Sequence, residues 1–158
     1  MNHPVTRRVV LSLVLVVACL PGLALAHCQV PCGIYGDQLR FEAMLEDTAT
    51  ITKAIAQIEE LAGTHDATGH NQLARWVATK ESHATSIQKT IADYFMAQRI
   101  KPDSGQYVKQ LTSAHAVTIA AMKAKQAADP ETAEALKASI LALYEAYEGK
   151  PYQASHSH

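Results

Sequence analysis

The sequence has little of what builds β-rich, disulfide-bonded or nucleic-acid-binding proteins. Its 158 residues include three cysteines, two phenylalanines and one tryptophan, and 14 basic residues are balanced by 15 acidic ones. No run alternates apolar and polar residues over a useful length, so strands are not expected. The basic residues are dispersed, so a nucleic-acid partner is not expected either. Cys28 and Cys32 are too close together to provide a framework of disulfide staples, and Cys19 lies upstream of both.

Residues 1–26 have the three parts of a secretory signal peptide. Arg7 and Arg8 provide a positive start, an apolar run follows, and Ala24-Leu25-Ala26 forms a small-x-small cleavage site. The apolar run is too short and wrongly flanked for a spanning helix. We therefore predict cleavage after Ala26, a periplasmic or secreted protein, and no stable membrane association after cleavage.

Three alternatives for this leader stay open. It could remain uncleaved as a membrane anchor. Val17-Ala18-Cys19 loosely resembles a lipoprotein cleavage box, and cleavage there would leave eight residues before His27. Thr6-Arg7-Arg8 followed by apolar residues resembles a twin-arginine signal, which exports folded proteins.

The rest of the chain has a composition and a periodicity typical of helices. Alanine, leucine, isoleucine, lysine and glutamate are plentiful, and the length is sufficient for one domain with a core. Downstream of Gly36, apolar residues recur at helical spacing in four segments. The residues predicted to face the core are Met44, Thr48, Ile51, Ile55, Ile58 and Ala62 in the first segment; Leu73, Val77, Ala84, Ile87, Ile91 and Tyr94 in the second; Leu111, Ala114, Thr118, Ala121 and Met122 in the third; and Leu136, Ile140, Leu143 and Tyr147 in the fourth.

Local signals predict where these helices begin and end. Gly63 ends the first, the second stops before Lys101-Pro102, and the third extends over about residues 104–128. Asp129-Pro130-Glu131 starts the fourth, with proline at the first helical position, and Gly149 ends it. Four helices with short connections predict an all-α fold, an up-down-up-down four-helix bundle over residues 37–150. Residues 151–158 are predicted to be a polar tail that contains histidines.

Residues 27–36 are predicted to be an N-terminal metal-binding segment, with its donor groups concentrated between His27 and Tyr35. If cleavage follows Ala26, the free amine of His27, the amide nitrogen of Cys28 and the Cys28 thiolate close two five-membered chelate rings. Cys32, returned by the turn at Pro31, supplies a fourth ligand in the plane, and the imidazole reaches only a position above it. Two nitrogens and two sulfurs in a square suit Ni(II) or Cu(II) rather than tetrahedral zinc. Thiolates tend to reduce Cu(II), so we predict nickel, in a site that cycles by one electron.

This segment resembles the N terminus of the nickel-containing superoxide dismutases, His-Cys-x-x-Pro-Cys-Gly-x-Tyr, which precedes a four-helix bundle. The matching residues are His27, Cys28, Pro31, Cys32, Gly33 and Tyr35. The resemblance implies one nickel ion per subunit, bound by the amine and imidazole of His27, the amide and thiolate of Cys28 and the thiolate of Cys32. It also implies dismutation of superoxide to oxygen and hydrogen peroxide by a Ni(II)/Ni(III) cycle, in a homohexamer.

The same resemblance suggests residues that support the metal. It implies that Glu42 hydrogen-bonds the ligating imidazole, that Arg75 backs Glu42, and that Tyr94 lies near the site. The hydroxyl of Tyr35 could meet a ligand that approaches the open face. The chain departs from the family in having Gln29 where aspartate is common, and in having an apparent export signal in place of a propeptide. Neither departure removes a ligand.

Two other classes of function stay open at this point. The same N-terminal segment could serve a periplasmic carrier of nickel or copper without catalysis, in which Tyr35, Glu42 and Arg75 would be dispensable. Alternatively, the bundle could be structural, with a short disulfide between the two cysteines. His65, His70, His83 and His115 are expected at the surface or between helices. His156 and His158 resemble a loose metal-binding tail, but a disordered terminus is the expectation.

Overall fold

The computed structural model describes residues 35–154, and this part of the chain is helical without strands. Its four α-helices are Asp37–Leu61 (α1), Ala67–Thr90 (α2), Tyr107–Gln126 (α3) and Pro130–Glu148 (α4). The segment Ile91–Arg99 continues α2 as a π-helix. The predicted all-α class and four helices are confirmed. Outside the described residues lie the predicted signal peptide, most of the nickel-binding segment, and the end of the tail with His156 and His158.

Contacts between side chains show that α1 is antiparallel to both of its neighbours. Asp37, at the start of α1, hydrogen-bonds Tyr94 in the π-helical segment, and ten residues later Asp47 contacts His83 in α2. The start of α1 also meets the end of α4, where Tyr147 hydrogen-bonds Asp37. The N terminus of α1 therefore lies beside the C-terminal ends of the two helices that flank it.

The α2–α3 pair is antiparallel in the same way. Gln88 donates to the Thr118 carbonyl at 3.2 Å, whereas Lys80, two turns earlier in α2, donates to the carbonyls of Ala124 and Lys125. Residues 127–129 then join α3 to α4. The contacts thus produce the up-down-up-down order that short connections favour.

The predicted limits of α4 are confirmed by its capping groups. Asp129 precedes the helix in an extended conformation, and its carboxylate accepts a hydrogen bond from the Glu131 amide at 2.9 Å. Pro130 occupies the first helical position, where its missing N–H costs nothing. Gly149 ends the helix with a φ of 72°, a left-handed conformation that glycine adopts without strain.

The residues predicted to be buried are confirmed over most of the bundle, but in α3 the buried face is rotated from the predicted one. Leu111 and Thr118 are only half-buried and Met122 is 38% exposed, whereas Gln110, Val117 and Ala124 are buried. Alanines occur around most of this helix, so several faces satisfied the same periodic pattern. Elsewhere the misplaced residues lie toward the ends of the patterns: Ile58, Leu73 and Tyr147 are half-buried and Ala62 and Val77 are exposed. None of the described helices is both long enough and apolar enough to cross a membrane.

Candidate functional site

The described chain begins at Tyr35, at the end of the bundle where α1 starts and the π-helical segment and α4 finish. The predicted ligands His27, Cys28 and Cys32 precede Tyr35 and lie outside the described residues. They are attached to this end of the bundle through Tyr35, which is three residues after Cys32. The surroundings of Tyr35 therefore form the base from which any N-terminal metal-binding segment extends.

Asp37 is the centre of a polar cluster at this end. Its Oδ1 accepts a hydrogen bond from the Tyr94 hydroxyl at 2.6 Å. Its Oδ2 accepts from the Tyr147 hydroxyl at 2.9 Å and from Arg99 Nη2 at 2.5 Å. Arg99 Nε in turn donates to the Tyr147 oxygen at 3.2 Å. Two elements, the π-helical segment and α4, thus supply three donors to one carboxylate of α1, whose side chain is 16% exposed.

Aromatic rings form the floor of this cluster. Phe41, one turn after Asp37, and Phe95 are fully buried, with ring centroids 4.7 Å apart. Phe95 meets Tyr94 edge-on at 5.2 Å and Tyr147 edge-on at 5.5 Å, both favourable geometries for aromatic pairs. The side chain of Asp37 is itself largely buried, and low exposure to water strengthens its hydrogen bonds.

The protonation states of the cluster follow from this environment. Burial by itself raises the pKa of Asp37, but hydrogen bonds from Arg99, Tyr94 and Tyr147, together with the charge of Arg99, outweigh burial and lower that pKa below its ordinary value. Burial, then the hydrogen bond and charge of Asp37, raises the pKa of Tyr94 to about 12. At neutral pH the cluster therefore contains a carboxylate, a guanidinium and protonated phenols.

Tyr94 connects the cluster to the chain that leads to the predicted ligands. Its single hydroxyl proton is shared between the Asp37 carboxylate and the main-chain oxygen of Tyr35, which lies 2.9 Å away. Tyr94 itself is only 7% exposed. The prediction that Tyr94 lies near the N-terminal segment agrees with this position, since its hydroxyl fixes the backbone three residues after Cys32.

The side chain of Tyr35 faces outward. It is 44% exposed, and the guanidinium of Arg40 lies over its ring, 4.2 Å from the centroid. This is a favourable cation–π contact. The Nε of Arg40 is buried and has no hydrogen-bond partner among the described residues. The predicted role of the Tyr35 hydroxyl toward an incoming ligand is compatible with this exposure and stays a prediction.

Glu42 lies at the same end of the bundle, on the side that faces α4. It is half-buried and accepts a hydrogen bond from Gln38 Nε2 at 2.9 Å, and Gln38 Oε1 accepts one from the Tyr144 hydroxyl at 2.9 Å. The contacts therefore bring Glu42, Tyr94 and Tyr35 to one end of the bundle. The predicted bond from Glu42 to the His27 imidazole involves a residue outside the described part.

Arg75 is not brought to Glu42 within the chain. Its exposed guanidinium donates to Gln72 at 3.5 Å, one turn earlier in α2. Asp47 in α1 contacts His83 in α2, and the two helices are antiparallel. Arg75, two turns before His83, therefore lies beside the part of α1 two turns after Asp47, which is about 20 Å from Glu42 along the helix axis. The supporting role of Arg75 rests on the resemblance alone.

Three members of the cluster were not identified as site residues from the sequence. They are Asp37, Arg99 and Tyr147, the last of which the sequence predicts only as a core residue. An acidic residue in the first turn of a helix and a basic one in its last turn are ordinary features. The five-residue spacing of Tyr94 and Arg99 fits no face of an α-helix, so periodicity gave no signal. In the described part of the chain, no group of three or more His, Cys, Asp or Glu side chains could bind a metal ion.

Comparison with known proteins identifies a matching protein family. The family model for nickel-containing superoxide dismutase matches residues 23–150, a range that includes the N-terminal segment and the four helices. Comparisons with curated proteins and with solved structures found no match.

Proposed function

The chain belongs to the nickel-containing superoxide dismutase family, and from that premise we propose that its nickel ion is bound by His27, Cys28 and Cys32 at the bundle end around Asp37. The protein is a superoxide dismutase, an oxidoreductase with a nickel cofactor and superoxide as its substrate. The match over residues 23–150 carries the proposal, because it spans the donor-rich segment and the bundle together.

The donor set fits nickel. The His27 amine, the Cys28 amide nitrogen and the thiolates of Cys28 and Cys32 are nitrogen and sulfur donors that would suit Ni(II), and the His27 imidazole would supply a further nitrogen. Bound by these residues, nickel would supply a one-electron Ni(II)/Ni(III) couple for the conversion of two superoxide ions and two protons to oxygen and hydrogen peroxide.

The chain's own residues have distinct parts in this scheme. Glu42 hydrogen-bonds the His27 imidazole and fixes its orientation, as a carboxylate commonly does for a ligating histidine. Tyr35 presents a phenol at the approach to the metal. Tyr94, with a pKa of about 12, keeps its proton and orients the Tyr35 backbone rather than supplying protons to the reaction. Asp37 is fully hydrogen-bonded and sets the position of Tyr94.

The export and assembly of the protein belong to the same proposal. The leader directs the protein to the periplasm or outside the cell, and its cleavage after Ala26 creates the free amine of His27. The subunits form a homohexamer with one nickel each. Determining the N-terminal residue of the purified protein tests the cleavage directly, because a start at Cys19 or an uncleaved leader would leave no amine on His27.

The sharpest experiment adds one alanine ahead of His27. The extra residue converts the amine to an amide, a much poorer donor, and moves the imidazole away from the metal. We expect the chain that begins at His27 to bind nickel and dismutate superoxide, and the extended chain to be nearly inactive with the same helical content. Bound metal and superoxide decay are compared after the two forms are released by fusion cleavage. Equal activity would show that the amine is not a ligand.

A further inference from the structure

The Asp37 cluster has a feature that folding of the bundle alone does not require. Both carboxylate oxygens of Asp37 accept hydrogen bonds, and the donors come from the π-helical segment and from α4. The main-chain oxygen that the cluster reaches belongs to Tyr35, before α1 begins. The helix itself starts with an ordinary hydrogen bond from the Arg40 amide to the Gly36 carbonyl. The contact with Tyr35 therefore acts on the chain outside the helix.

The π-helical segment is what brings Tyr94 and Arg99 to the same carboxylate. In an α-helix, side chains five residues apart point about 140° away from each other. In a π-helix, whose hydrogen bonds join residues five apart, such side chains come to the same side of the helix. The Ile100 amide donates to the Phe95 carbonyl at 2.8 Å, which is this five-residue pattern. π-Helical segments are rare in proteins, and those that do occur are often found at functional sites.

The distance from this cluster to the predicted ligands is short. Tyr35 is three positions after Cys32, and an extended chain of that length spans at most about 11 Å. A shift of the Tyr35 backbone is therefore passed to the Cys32 sulfur with little chain available to absorb it. A flexible base would leave the segment with more conformations to lose when it binds metal, which would weaken binding.

We propose that Asp37, Arg99 and Tyr147 form a clasp that orients the Tyr94 hydroxyl on the Tyr35 carbonyl and thereby positions the nickel-binding segment, an inference that rests on the proposed function. The clasp residues are positioning residues that act through Tyr94. The clasp orders the base of the segment before metal binds, so it acts on nickel retention as well as on turnover.

The test compares two carboxylates of α1 that are equally buried. The side chain of Asp37 is 16% exposed and that of Asp47, which contacts His83 at 2.6 Å, is 17% exposed. Asp37→Asn and Asp47→Asn each weaken a buried polar contact, but only Asp37 belongs to the clasp. The two variants, Tyr94→Phe and the unaltered protein are loaded with nickel, and metal release to a chelator is followed together with the thermal midpoint.

A second measurement needs no metal. Chymotrypsin cleaves after exposed tyrosines, and the Tyr35 side chain is exposed while its carbonyl is fixed by the clasp. The rate of cleavage after Tyr35 in the nickel-free chain, followed by mass spectrometry, therefore reports how firmly that backbone is fixed.

We expect Asp37→Asn and Tyr94→Phe to release nickel about tenfold faster, the effect usual for groups that support metal ligands. Both should also be cleaved faster after Tyr35, whereas Asp47→Asn should lower the thermal midpoint without changing either rate. Equal release and equal cleavage in the two Asp→Asn variants would overturn the clasp. If the unaltered protein binds no nickel while Asp37→Asn still speeds cleavage, the proposed nickel site fails and the clasp on the Tyr35 backbone stands.

Discussion

Two polar sites in the bundle satisfy their buried groups in different ways. The clasp joins side chains from α1, the π-helical segment and α4 around Asp37. About 20 Å away along α2, Lys80 is 3% exposed and donates to the carbonyls of Ala124 at 2.7 Å and Lys125 at 2.5 Å. Those carbonyls lie in the last turn of α3, where the helix offers them no amide partner.

The difference separates folding from function. Lys80 satisfies main-chain oxygens that the end of any helix would present, and its charge complements the helix dipole there. The clasp depends on particular side chains, and it reaches a carbonyl of the chain that leads to the predicted ligands. We therefore expect Lys80 to affect stability without affecting chemistry, and the N-terminal segment to affect chemistry without affecting stability.

The largest expected effect is on activity alone. Replacing Cys28 or Cys32 by serine removes a thiolate, and without both thiolates the redox couple of the metal is not accessible in water. We expect superoxide dismutation to be abolished, with nickel lost or inactive, while the helical circular dichroism and the thermal midpoint stay unchanged. Activity like that of the unaltered protein in either variant would refute the assignment of the two cysteines.

The converse effect is expected at Lys80. Lys80→Met keeps the aliphatic length but leaves the buried carbonyl of Ala124 and the partly buried carbonyl of Lys125 without their charged donor, at a cost of about 1.5–3 kcal/mol of stability. Urea unfolding should show this loss, while turnover per bound nickel stays the same. Lys137→Met, at an exposed position of α4, is the matched control and should be neutral. A loss of turnover per nickel in Lys80→Met would show that the two sites are coupled.

A smaller effect should appear in the pH dependence of stability. The pKa of Asp37 is lower in the folded protein than in the unfolded chain. The stability that its ionised form adds is therefore fully present above the unfolded pKa and is lost as the pH falls through the folded pKa. The pKa of Tyr94 is raised to about 12 in the folded protein. The stability that its protonated form adds is therefore fully present below the ordinary pKa of tyrosine and is lost as the pH rises toward 12.

The clasp should therefore stabilise the protein across the neutral range. The difference in thermal midpoint between the unaltered protein and Asp37→Asn should be constant at neutral pH and should vanish in strong acid. The difference for Tyr94→Phe should persist into the alkaline range. A difference for Asp37→Asn that already disappears near pH 6 would mean that the carboxylate is not stabilised by Arg99 and the two phenols.

The sequence predicted the helices well because the signals that define them are local. Asp129, Pro130 and Gly149 fix the limits of α4 by capping, and the periodic pattern located the core of α1 from Met44 to Ile55. It could not predict the rotation of α3, since its alanines fit several faces. It also missed the clasp, because the π-helical turn that joins Tyr94 to Arg99 and the approach of Tyr147 depend on tertiary packing.

The smallest effect is expected at Arg75, where the resemblance and the structure lead to different expectations. The resemblance places Arg75 behind Glu42, so that losses in the double variant would be much less than additive. The structure places the two about 20 Å apart along one chain, with Arg75 exposed and bonded to Gln72. From the structure we expect Glu42→Gln to lower turnover about tenfold, as loss of a group that orients a ligand does.

Arg75→Ala should then change turnover little, and the double variant should equal the sum of the two within about 0.5 kcal/mol, as for distant residues. Turnover per bound nickel is measured for both single variants and the double. A large loss in Arg75→Ala that adds nothing to Glu42→Gln would contradict this expectation. Since the two residues are too far apart within one chain, that result would mean that Arg75 reaches Glu42 from another subunit.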